Sequence, residues 1–109
     1  MVKITRLEHL EQVPEKKIVP YISKILESFL EGYKDYCPNG SIEAIGAFFF
    51  IDSKDDLKNY MDFGLENPID KSHSEWKTNI GNGFANVCVV IDNDRAINII
   101  GKEEYFEVI

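Results

Sequence analysis

The chain has 109 residues, 44% of them hydrophobic and 28% charged, and carries a net charge of −7. That length makes one ordinary domain over residues 1–109, and the composition excludes a disordered or collagen-like chain. The charge argues against a nucleic-acid binder, which gains affinity by neutralising phosphates with Lys and Arg, and against an anionic membrane surface.

The charge is unevenly placed. Residues 1–40 hold six Lys/Arg and six Asp/Glu, whereas residues 41–109 hold six Lys/Arg against thirteen Asp/Glu. The whole excess therefore lies in the second part of the chain. Two cysteines, Cys37 and Cys88, are too few for a disulfide framework and form no Cys-x-x-Cys pair. No apolar run approaches the roughly 20 residues that span a bilayer. Residues 1–10 have no signal-peptide core, so the expected location is the cytoplasm, in a protein of bacterial or phage type.

Residues 2–7 alternate apolar and polar side chains, and a short strand and a helix onset are equally arguable there. Pro20 suits the first turn of a helix, because it lacks the amide donor that such a position leaves unused. Ile22, Ile25, Leu26, Phe29, Tyr33 and Tyr36 then recur every three or four residues. This is the apolar stripe of an amphipathic helix over about 20–36, ended by the breaker cluster Cys37, Pro38, Asn39 and Gly40.

Residues 42–51 end in a continuous aromatic run and predict a strand covered on both faces. Ser53 with Asp56 three residues on, ahead of Leu57, imitates a capping pair and predicts a short helix over about 54–63. Residues 66–83 are polar and turn-rich, with Trp76 as the one large apolar anchor. They predict an irregular segment, with a short helix around 74–78. Residues 84–91 form a clear strand, and Asp92 to Arg95 a turn. Residues 96–100 form the partner strand, ended by Gly101. The tail, 102–109, is a last strand or a helical turn. The fold class is α+β: a small, mainly antiparallel sheet of three to five strands with one long amphipathic helix packed on one face.

Chemistry-bearing motifs are weak. His9 and His73 stand in unlike contexts, and no nucleophile elbow supports a triad. Asp92, Asn93 and Asp94 imitate the start of a calcium loop. However, Ile97 stands where that loop requires glycine, so a hairpin turn explains them better. The glycines Gly81 and Gly83 precede a strand, whereas phosphate loops precede helices. Asp52, Asp55 and Asp56 suit a helix N-terminus through its dipole.

No cofactor, metal site or catalytic residue is therefore expected. The expectation is a non-enzymatic acidic protein that binds and neutralises a basic protein partner, such as a toxin or nuclease domain. An immunity protein, an antitoxin or a phage-type inhibitor has this character. The candidate face is Asp52, Asp55, Asp56, Asp62, Glu66 and Asp70, with Trp76 as anchor. Two alternatives compete. One is a homodimer or assembly subunit that uses an exposed strand edge. The other is a small ligand-binding or enzymatic domain with a pocket lined by Phe48, Phe50, Tyr60 and Trp76.

Overall fold

In the computed structural model of the chain, residues 1–57, 75–90 and 95–106 are described; for Glu75, Trp76, Val89 and Val90 this means the backbone alone. The elements are β1 (Val2–Ile4), α1 (Val19–Gly32), β2 (Gly46–Ile51), β3 (Glu75–Gly81), β4 (Phe84–Val90) and β5 (Ala96–Lys102). They form the expected α+β fold, a five-stranded sheet of order β1-β2-β5-β4-β3. β1–β2, β4–β5 and β3–β4 pair antiparallel, whereas β2 and β5 run parallel.

A 3-10 turn, Lys16–Ile18, leads into α1, and Pro20 sits in its first turn. Ile22 and Leu26 are fully buried, with Ile25, Phe29 and Leu30 packed beside them. The α-helix stops earlier than its stripe suggests. Gly32 has the lowest helix propensity after proline, and Tyr33 leaves the helical region at φ −123° and ψ 32°. A separate 3-10 turn, Lys34–Tyr36, follows. The angular phase of the stripe is lost there, so Tyr33 and Tyr36 are exposed.

Alternation along β2 sends Phe48 and Phe50 to the face under α1 and Phe49 and Ile51 to the other. Both faces are buried, as the aromatic run implies. On the α1 face Phe48 meets Phe29 edge-on, with ring centroids 5.8 Å apart. Ile4, Phe50, Phe84 and Ile100 complete that layer. On the opposite face Ile51, Ala85, Val87 and Ile99 pack with Leu57 and with Phe106 from a closing 3-10 turn, Glu103–Phe106. Burying side chains of this kind contributes roughly 1.5–3 kcal/mol each.

Three expectations are corrected. Residues 42–45 form a turn, not the start of β2. The amides of Ile45 and Gly46 both donate to the Ile42 carbonyl at 2.8 Å, while Ile42 and Ile45 stay buried. Residues 75–81 are a strand, not a loop or a short helix. Their hairpin to β4 turns on Asn82 and Gly83, at φ 55° and 81°. Positive φ at both central residues is what a tight type I′ hairpin demands, and Asn-Gly is its strongest signature. Gly101 does not end β5, which runs on to Lys102. A methyl group on Gly101 would crowd the Ile51 carbonyl and the Phe106 ring. The antiparallel pairing of β4 with β5 agrees with a turn at Asp92 to Asp94, which itself lies outside the described residues.

Candidate functional site

The acidic candidates sit where β2 ends. Because β1 is antiparallel to β2, with Val2 opposite Phe50, the chain's amino terminus arrives beside Asp52. The Met1 ammonium lies 3.3 Å from Asp52 Oδ1 and 3.6 Å from Asp56 Oδ2. Residues 54–57 are helical, and the Asp56 amide donates to Ser53 Oγ at 3.0 Å. This is the anticipated cap, and it anchors Leu57 in the second core layer.

Asp56 is held ionised. A hydrogen bond shared with Asp52, then one with Ser53, pull its carboxyl below the ordinary aspartate value; desolvation pushes the other way, and the N-terminal ammonium adds a smaller downward pull. A group whose folded pKa is depressed contributes stability above its unfolded value and loses that contribution as pH falls through the folded one. Carboxyl NMR titration of Asp56 should therefore give a midpoint below that of a free aspartate. Ser53→Ala should move the midpoint up; no rise would remove the hydroxyl from this account.

Parallel pairing of β5 with β2 adds acids that sequence reasoning missed. Ile51 is level with Gly101, so Glu103 and Glu104 emerge at the same end of the sheet as Asp52. The Tyr105 hydroxyl donates to the Asp52 carbonyl at 3.1 Å and ties the two segments together. Asp52, Asp55 and Glu104 are exposed, and Asp56 and Glu103 half-buried. The Met1 ammonium contacts Asp52 and Asp56, whereas Glu103 and Glu104 border a groove with Lys77 and Lys102. Only the level pairing of two distant strands could reveal this set.

Of the remaining candidates only Trp76 falls in a described strand, and it is not brought there. Asp62, Glu66 and Asp70 lie outside the described residues. Trp76 lies on β3, level with Cys88, Asn98 and Phe48. It is three strand spacings from β2, about 14 Å, and four residues down the sheet from Asp52, about 13 Å. The anchor expected of Trp76 thus belongs to another edge. The alternative pocket also fails in part: Phe48 and Phe50 are 0% and 2% exposed beneath α1 and line no opening. Tyr60 is outside the described residues.

Other polar features have structural roles. His9 is half-buried, and its Nδ1 accepts a hydrogen bond from the Thr5 amide at 3.0 Å. His73 lies outside the described residues. Asn86 and Asn98 are buried on the α1 face, joined by a long 3.5 Å contact. Asn86 Oδ1 has no partner among the described residues. Cys37 and Cys88 are both free. Burial pushes both thiols above their ordinary value, which disfavours the nucleophilic thiolate.

An open groove of about 580 Å³ at the hairpin end is bordered by Lys77, Asn82, Lys102 and Glu103. Among the described residues no group of three or more His, Cys, Asp or Glu could hold a metal ion, and no helix is long and apolar enough to cross a membrane. In comparisons with known proteins, no family model, no curated protein and no solved structure matches the chain, so its reading rests on its own geometry.

Proposed function

We propose that the chain is a non-enzymatic binding protein that neutralises a basic protein partner through the acidic end of its sheet. The observation that carries this reading is the convergence of Asp52, Asp55, Asp56, Glu103 and Glu104 at one end of the β2–β5 pair. All five come from the part of the chain that holds the entire charge excess. A cluster of carboxylates on a rigid sheet end steers a cationic surface at long range and penalises anionic competitors. Asp62, Glu66 and Asp70 continue the acidic run in the sequence. The partner class this suits is a basic toxin or nuclease domain, whose phosphate-binding surface the carboxylates would cover, as an immunity protein, antitoxin or phage-type inhibitor does.

The test is charge reversal at residues that do not hold the N-terminal ammonium. Asp55→Lys combined with Glu104→Lys changes two exposed side chains. Capture from a lysate of the native host should retain a basic protein. The double reversal should weaken its affinity at least about tenfold, roughly 1.4 kcal/mol. Binding should also fall steeply with salt. Lys24→Glu, on the outer face of α1, should change little. A retained partner that is not basic, or one indifferent to the reversal, would sink the proposal.

A further inference from the structure

β3 stands at one edge of the sheet, and among the described residues no strand lies on its outer side. It is seven residues long, contains no proline, and exposes Lys77, Thr78 and Asn79. The other edge, β1, has three residues and is too short to serve as a template. An edge of this length presents a row of backbone donors and acceptors, which proteins normally blunt or pair. Here the blunting devices on the described strand are the charges of Glu75 and Lys77 and the irregularity between Asn79 and Gly81.

The order of residues along β3 is self-complementary. Two copies run antiparallel about a twofold axis at Thr78 would put Thr78 opposite Thr78 and Lys77 opposite Asn79. Both pairs are favourable across strands: hydroxyl with hydroxyl, and ammonium with an amide oxygen. Moving the twofold axis by one residue, to Lys77, slips the register by two and places Lys77 on Lys77, two like charges at close range. The strand therefore favours the alignment centred on Thr78 over the one centred on Lys77. Side chains at a twofold lie on the same face, so both α1 helices would stand on one side of a continuous ten-stranded sheet.

We infer that β3 is a homodimerisation edge, pairing with β3 of a second copy of this chain in the register centred on Thr78. The irregularity beside Ile80 confines the regular ladder to the rows from Lys77 to Asn79, so the dimer is reversible and concentration-dependent. The edge is three strand spacings from β2, and dimerisation leaves both acidic ends free. The inference is therefore independent of the proposed partner, and a bivalent display of the carboxylates would follow from it.

Sedimentation velocity and light scattering of the full chain decide the matter. The mass should rise from one chain to two as concentration rises to about 0.1 mM, where a micromolar interface is largely formed. Thr78→Lys places two ammonium groups at the axis and should restore the monomer at every concentration. Its unchanged circular dichroism would show that the fold is intact. In a Cys37→Ser, Cys88→Ala background, Thr78→Cys should form an intermolecular disulfide with itself. Lys77→Cys should form none with itself, but should link to Asn79→Cys when the two variants are mixed. Monomer mass throughout the range would overturn the inference, including the case in which the edge takes a foreign peptide. A dimer whose Thr78→Cys chains do not cross-link, or which survives Thr78→Lys, would overturn the register.

Discussion

Gly46→Ala will destabilise the protein by about 3 kcal/mol, a cost at the upper end for an inserted methyl group. Gly46 opens β2 level with Ala96, and a methyl group there would overlap the Ala96 carbonyl oxygen. That oxygen belongs to backbone, not to the movable end of a side chain. The backbone on both sides of the clash is pinned as well: the Ala96 amide donates to the Ile45 carbonyl at 2.8 Å, and the Gly46 amide donates to the Ile42 carbonyl at 2.8 Å. The glycine is required for space, since its φ lies outside the left-handed region. Gly32 provides the opposite sign. Nothing lies within 4 Å of a methyl group there, so Gly32→Ala should stabilise α1 by roughly 0.5–1 kcal/mol through helix propensity. Urea denaturation of the two variants measures both. Equal effects would refute the close approach of β2 and β5 on which the acidic end depends.

Phe48→Ala will cost about 3–5 kcal/mol, the range for removing a buried phenyl ring and leaving a cavity. Phe48 is fully buried and meets Phe29 of α1 in an edge-on aromatic contact. Loss of the ring thus unpins the helix from the sheet as well as emptying the core. Domains of this size have only about 5–15 kcal/mol of stability, so the variant should be marginal at ambient temperature. Tyr36→Ala is the control. Tyr36 is 58% exposed beyond the end of α1, and its removal should change stability by no more than about 0.5 kcal/mol. Denaturation midpoints that fail to separate Phe48→Ala from Tyr36→Ala would contradict the placement of α1 on the sheet.

Local order was legible wherever neighbouring residues settle it. The spacing from Ile22 to Leu30 encodes a helical face, because residues three and four apart share one side of a helix. The apolar runs of β2, β4 and β5 encode strands, and Ser53 with Asp56 encodes a cap realised at 3.0 Å. β3 was missed because most of its residues are polar and, among the described residues, its outer side faces no strand. Its signal was the Asn82–Gly83 pair followed by β4, which marks a hairpin and not merely a turn. Tyr33 and Tyr36 misled in the other direction. They keep the helical spacing, but the helix that would give the spacing meaning ends at Gly32.

By itself the sequence determined that this is one α+β domain, that α1 exists and which face it buries, and that the negative charge sits in residues 41–109. Each of these follows from interactions between near neighbours or from simple counting. The tertiary structure alone decided that β5 lies parallel beside β2, each residue paired with one fifty positions further along the chain. The free energy of that pairing comes from burial and shape across the sheet, and no local spacing records it. From that one adjacency follow the arrival of Glu103 and Glu104 at the end of the sheet where Asp52 lies and the separation of Trp76 from the acids it was expected to join.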